Sequence, residues 1–437
     1  MNSVKKLNKN QPIDITDLYT LKLGVFWRAF KSEHLSLWML CIYFFFEYVR
    51  PQSLYPVLDI LPWGQLFLIA TIVTGVLDPA ARRMSNIQNK LLILFAFVLI
   101  LSSIFAFKPS ASIDYWEVMG GWIIIYFLLT SIVNTEKRLL LFLLIYCLFN
   151  LKMSQHGAIA WAQRGFSFAS FGLIGSPGWF RNSGEYAIQM LIYGSLAISI
   201  VISLRDHWGK YKKLFFYLAA ATGYMAVIGS SSRGAQIGLA AIGIWFLLKQ
   251  KSGFKGLLIL IAIASVLYNF LPEEQMLRFK EMGDDKDSLQ RLAYWQYGLL
   301  NVIPKNLMLG VGYHNWLPYV YFLKPEGLGP SQMIEEPHNI YIQIASELGL
   351  TGLFVFLLLI LFAFINNART RSITRDFEDK LLFNLSHGLD AGLVGFLVSG
   401  SFVTVGYYPF FWIQISMIIA LNHVARRKQA ESSSCPG

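Results

Sequence analysis

Two short polar segments carry residue types able to do chemistry: Ser230-Ser231-Ser232-Arg233-Gly234 and Glu335-Glu336-Pro337-His338-Asn339. Each stands where a long apolar run begins. Arg233 falls in the first turn of a predicted helix, just after serines able to cap it. A cation is disfavoured there, because a helix N-terminus already carries partial positive charge. The arrangement becomes favourable when an anion binds, held by exposed N–H groups, the Ser232 hydroxyl and the guanidinium together. Gly234 would let such a ligand approach the backbone. Two readings stand at this point: an anion site, or an arginine reaching lipid headgroups or a loop carboxylate.

His338 follows Pro337, a residue suited to the first turn of a helix. Near the positive end of a helix an imidazole tends to stay neutral, as a general base must. Glu335 and Glu336 pull the other way, and either could orient the ring. An interfacial histidine bonded to a neighbour is the competing reading. Three further arginines could supply forked donors for a diphosphate: Arg291, Arg181 in Trp179-Phe-Arg-Asn-Ser-Gly-Glu185, and Arg50. Each alone is commonly a headgroup contact. His314, in the turn Leu309-Gly-Val-Gly-Tyr-His-Asn315, joins the expected substrate-binding set with Arg181, Arg50, Ser232 and Asn339. The acidic pairs Asp284-Asp285 and Glu335-Glu336 read as solvated loop charges. No HExxH, paired cysteines or P-loop is present, so no metal or nucleotide cofactor is expected.

The elements that must position these residues are membrane spans. The chain is 55% hydrophobic and 15% aromatic but only 14% charged, with a mean hydropathy of +0.48. That composition is outside the range of soluble domains. Twelve apolar runs are long enough to cross a bilayer as helices: 34–50, 62–78, 90–107, 117–133, 138–154, 185–204, 211–230, 233–249, 253–271, 340–366, 384–404 and 408–425. Their continuous apolarity excludes barrel strands. The expected architecture is an all-α polytopic membrane protein. Its parts are an interfacial segment (1–33), spans one to nine (34–271), a large loop (272–337), spans ten to twelve (340–425) and a tail (426–437).

Orientation follows from charge. With the N-terminus inside, roughly two thirds of the basic residues fall in cytoplasmic segments, mostly short loops. Both termini are then cytoplasmic, and the two polar segments and the large loop face outward. The net charge of +11 is explained by this bias and by anionic lipid, with no nucleic acid implied. No cleavable signal peptide is visible. Residues 17–32 are expected along the inner surface, with Leu21, Val25, Phe26 and Phe30 in lipid. The large loop predicts an interfacial helix around Ser288–Tyr297, with Leu289, Leu292, Leu299 and Leu300 on its apolar side. Its length and aromatic character suit a folded cap. Cys41, Cys147 and Cys435 give no disulfide framework. Neither an internal repeat nor a separable soluble domain is visible.

At these residues the sequence resembles the O-antigen ligase family of bacterial envelope glycosyltransferases. Three pieces carry the resemblance: Ser-Ser-Ser-Arg233-Gly-Ala-Gln-Ile-Gly-Leu, Ser-Leu-Gln-Arg291-Leu-Ala-Tyr-Trp, and Pro-His338-Asn-Ile-Tyr-Ile-Gln-Ile-Ala-Ser-Glu-Leu-Gly-Leu-Thr-Gly. The resemblance implies an inverting, metal-independent ligase at the periplasmic face of the bacterial inner membrane. It would move a polysaccharide from undecaprenyl diphosphate to a sugar hydroxyl of lipid A–core. His338 would be the base, and Arg233 and Arg291 would hold the diphosphate. Membrane lipids are the further expected partners, and the oligomeric state stays open. The O-antigen polymerases and other oligosaccharyltransferases share much of this pattern. A flippase of lipid-linked oligosaccharides is the reading from another class; it would place polar residues near the bilayer midplane rather than at the outer mouth.

Overall fold

The structure is a computed structural model describing residues 14–167, 172–249, 286–323 and 334–433. Within these residues the regular structure is helical, with no strand. The main helices are α1 (Leu35–Tyr48), α2 (Trp63–Leu77), α3 (Ile87–Ile104), α4 (Trp116–Ile132), α5 (Glu136–Gln163), α6 (Ser183–Leu204) and α7 (Lys210–Gly229). They continue with α8 (Arg233–Leu248), α9 (Lys286–Tyr297), α10 (Trp316–Leu323), α11 (Ile340–Asp376), α12 (Lys380–Gly400) and α13 (Pro409–Ser433). Eleven of the twelve expected runs coincide with one of these helices. The run 253–271, residues 325–330 of the large loop, Asp284-Asp285 and Cys435 lie outside the described residues. Six of the described helices are long and apolar enough to cross a membrane, and α2 and α8 are shorter apolar helices. This is a multi-pass helical membrane protein.

Local sequence sets the helix starts. Thr135 caps α5, Asn182 and Glu185 form a capping box on α6, and Ser232 caps α8. The nearly fully buried α6 forms the centre of the bundle, packed against α7 and α12. Small residues allow the close approach: at Gly388 of α12 a Cβ would collide with Ser199 and the Ser195 carbonyl.

The bundle has two polar faces. On one, Tyr19 Oη donates to Glu136 at 2.8 Å, Trp208 Nε1 to the Tyr19 carbonyl at 2.8 Å, and Lys428 Nζ to Glu136 and Asp379 at 3.0 and 2.6 Å. On the other, Lys108 N donates to Asn315 Oδ1 at 2.7 Å, His338 N to Thr404 Oγ1 at 2.8 Å and Asn339 Nδ2 to the Ser401 carbonyl at 3.1 Å. The segment before α1 and the end of α13 therefore share a face, opposite the two motif segments.

Three local expectations change. The segment before α1 forms two short helices, Ile15–Tyr19 and Leu23–Lys31, separated at Leu21, whose φ is +45°. Val25 is buried against the bundle, and Phe30 stacks on Trp38. The outward apolar residues are instead Leu23 and Trp27. Next, α11 begins at Ile340, with Asn339 as its cap, so Pro337 and His338 precede the helix. Finally, α11 is interrupted at Gly349, where φ is +68°. The Gly-rich turn docks on this break. Val311 N donates to the Ser346 carbonyl at 2.8 Å, Gly312 N to that of Glu347 at 3.0 Å, and Leu350 N to that of Leu307 at 2.7 Å. Groups freed by the break are thereby satisfied, as an apolar surrounding requires. A Cβ at Gly310 or Gly349 would strike the opposing backbone.

Candidate functional site

The two motif segments meet in one cavity of about 370 Å3. Ser230 closes α7 by donating to the Val227 carbonyl at 2.7 Å, Ser231 makes the left-handed turn with φ +58°, and Ser232 caps α8. This tight turn brings Arg233 to the cavity wall. Gly234 also lines the cavity, but a Cβ there would meet the Phe402 side chain at 2.8 Å. Its small size accommodates Phe402 as well as any ligand. Opposite stands the start of α6, where Asn182, Ser183 and Gly184 line the same space. Two helix N-termini and two arginines, Arg233 and Arg291, therefore converge on it. The same wall carries one carboxylate, Asp287, and the α6 start has Glu185 in its first turn, so the least compensated positive charge lies on the α8 side.

His338 lies on the same wall. Its φ of +48° is unusual for a side-chain-bearing residue and costs on the order of 1 kcal/mol. The surrounding bonds fix it. Tyr294 Oη accepts from Glu335 N at 2.9 Å, Trp316 Nε1 donates to the Glu335 carbonyl at 3.0 Å, and Trp295 Nε1 to the Pro337 carbonyl at 2.7 Å. Together with the His338–Thr404 bond these clamp residues 335–338 between α9, α10 and the α12–α13 turn. The His338 Nε2 is 3.3 Å from Glu335 Oε2. Burial lowers its pKa and Arg291 lowers it further, against the opposite pull of Glu335 and Asp287. The imidazole is thereby held neutral near pH 7.

An adjoining cavity of about 510 Å3 shares Asn182, Asp287, Arg291 and His338 and adds Gln290, Leu317, Glu335 and Glu336. The two adjacent glutamates differ. Glu335 is exposed, whereas the Glu336 carboxyl is buried, its Oε2 has no hydrogen-bond partner among the described residues, and burial pushes its pKa up to about 7. The reading of both as solvated loop charges holds only for Glu335. A third space, about 190 Å3, has the apolar walls Ile237, Leu292, Trp295 and Phe402 beside Arg233 and Arg291. Three chambers thus meet around Arg291, the last of them largely apolar.

The remaining expected residues lie elsewhere. Arg181 is exposed, outside these walls; its neighbour Asn182 is the one that lines them. The signal for Asn182 was the Asn-x-x-Glu capping pattern at a span start. Arg50 sits 3.7 Å from Glu47 and over the Trp179 ring. His314 stacks on Tyr115 at 3.8 Å, and burial lowers its pKa to about 4. Asn339 accepts from Tyr341 N and Ile342 N as the α11 cap, so both ends of its amide are engaged within the chain. Among the described residues no group of three His, Cys, Asp or Glu side chains gathers as a metal site.

Fold and site together define a multi-span helical membrane protein with a cavity at one face that gathers two arginines and a histidine. Residues 216–357 match the family model described as O-antigen ligase. That stretch contains Ser232, Arg233, Arg291, Glu335, Glu336, His338 and the break at Gly349. The match supports the resemblance to the O-antigen ligase family and, as the class of activity, a ligase/polymerase-type glycosyltransferase. No curated protein matches the chain.

Proposed function

We propose that the chain transfers a preassembled glycan from a polyprenyl diphosphate, undecaprenyl diphosphate in a bacterial inner membrane, to a sugar hydroxyl of lipid A–core at the periplasmic face. The observation that carries this reading is the convergence of Arg233, Arg291, two helix N-termini and His338 on one cavity. The diphosphate sits against the arginines, with the polyprenyl chain leaving past Ile237, Leu292, Trp295 and Phe402. The acceptor hydroxyl enters by the chamber that Glu336 lines. His338 takes the hydroxyl proton as the oxygen attacks the anomeric carbon. In the tautomer protonated at Nε2, that nitrogen donates to Glu335, leaving Nδ1 as the basic atom; Glu335 then stabilises the imidazolium. The bond from the anomeric carbon to the diphosphate oxygen breaks with inversion. Its electron pair goes to the diphosphate, whose added charge the two guanidinium groups stabilise. The donor is already activated, so no nucleotide or metal cofactor is called for.

Purified protein, polyprenyl-diphosphate glycan and lipid A–core in EDTA test the reading through the acceptor's gel mobility. Wild type should shift the acceptor. His338→Ala should lose about 100-fold or more of the rate. Full transfer by that variant would remove His338 as the base. Glycan lengthening on the carrier without an acceptor shift would identify a polymerase.

A further inference from the structure

A second cavity, about 560 Å3, opens on the opposite face between the start of α3, the latter part of α11 and the end of α13. From Ile340 to Arg369, α11 carries about 1.5 Å per residue, so this cavity and the anion cavity are separated by roughly 40 Å, a bilayer with its headgroups. Its rim holds three cations from three helices, Lys90, Arg369 and Arg426, and no described carboxylate lines it. Nor does any of the three enter an ion pair among the described residues. On the same face Lys428, by contrast, is paired with Glu136 and Asp379. The N-terminus of α3, which has no acidic residue in its first turn, adds partial positive charge at the same place.

The floor is polar and buried. Asn422 donates to the Asn366 carbonyl at 3.2 Å and to Thr370 Oγ1 at 3.1 Å, yet its Oδ1 has no partner among the described residues, and the residue is 1% exposed. A ligand here should therefore present an anion to the rim and a hydrogen-bond donor to the floor. Beside the cavity, Ile93, Leu94 and Phe97 of α3 and Leu361 of α11 are exposed, one to two turns further into the bundle's apolar zone. They offer a bed for acyl chains.

We infer that this cavity binds a phosphodiester, and specifically the headgroup of an anionic phospholipid whose phosphate meets Lys90, Arg369 and Arg426 and whose headgroup hydroxyl donates to Asn422. The site is separate from the transfer site and does not depend on the proposed reaction. Phosphate pairs well with guanidinium and ammonium together, and a basic recess between spans gives it a fixed seat.

The test is the thermal midpoint of the purified full-length protein in neutral detergent, with phosphatidylglycerol, phosphatidylcholine or glycerol phosphate added. A ligand that binds only the folded state raises the midpoint, by a few degrees at saturation. Phosphatidylglycerol should do so, and the Lys90→Gln/Arg369→Gln/Arg426→Gln variant should lose at least half of the rise. Arg82→Gln/Lys210→Gln/Lys380→Gln removes the same charge from exposed positions outside the cavity and should keep the rise. Equal loss in both triple variants would overturn the site in favour of diffuse attraction, as would an equal rise with phosphatidylcholine. A rise with glycerol phosphate, a soluble phosphomonoester, as large as with the lipid would overturn the phospholipid assignment in favour of a soluble phosphate ligand.

Discussion

The starts of α5 and α8 are the same kind of object, a helix N-terminus capped by a hydroxyl, and the chain treats them in opposite ways. At α5, Thr135 caps, Glu136 follows in the first turn, and Tyr19 and Lys428 bind that glutamate. Next to it Arg138 donates to Glu33 and Asp78, at 2.7 Å each. The partial charge of the helix is thus answered by the chain's own carboxylates. At α8, Ser232 caps, no acid follows in the first turn, and Arg233 adds a cation to the positive end. A first-turn acid fixes the α5 start within the fold, whereas the α8 start, which has none, faces a cavity with its cation.

The largest test of this contrast is on the structural side. Arg138→Ala leaves the buried Asp78 without its arginine, while Glu33 keeps Lys137, and should cost about 3–5 kcal/mol of stability, read as a lower thermal midpoint in detergent. Transfer per folded molecule should be unchanged. The reverse test makes α8 look like α5. Arg233→Glu supplies the missing first-turn acid, so the helix should be no less stable, while transfer falls about 100- to 1,000-fold. Retained transfer by that variant would break the comparison.

A smaller effect concerns Glu336, whose pKa is pushed up to about 7. Below pH 7 its neutral form dominates; above it, a new negative charge appears beside the anion cavity. The donor KM should therefore rise by roughly tenfold between pH 6 and 8, and Glu336→Gln should flatten that rise. A pH-independent donor KM in the wild type would separate Glu336 from the donor. Smallest is the shift with Glu335→Gln. Glu335 raises the pKa of His338, so its loss should move the acid limb of kcat/KM to lower pH. A shift in the other direction would mean Glu335 does not act on His338.

The contrast also explains what the sequence could and could not reveal. Span positions were legible because burial in lipid demands long apolar runs, a local signal. Arg233 and His338 stood out as a charged and a titratable residue at the mouth of such a run, Arg291 stood out through the family resemblance, and the cavity brings the three together. The fates of Glu335 and Glu336 were not, since identical neighbours differ only in which one the fold turns inward. Arg181 drew attention by its charge while the uncharged Asn182 reaches the cavity. The interruption at Gly349 was hidden because its support, the turn at 307–312, lies some forty residues earlier in the chain. Eleven runs coincide with helices, while the interior arrangement depends on pairs far apart in the chain, such as Asn86 with Asn366.

That interruption has a consequence for how the protein is made. The turn that satisfies the broken helix precedes it in the chain, so it leaves the ribosome first. When α11 reaches the membrane its docking partner is already synthesised, and the open carbonyls of Ser346 and Glu347 can be covered on arrival. The order of the segments along the chain thus lets a helix with a gap in its bonding enter an apolar phase without a waiting period.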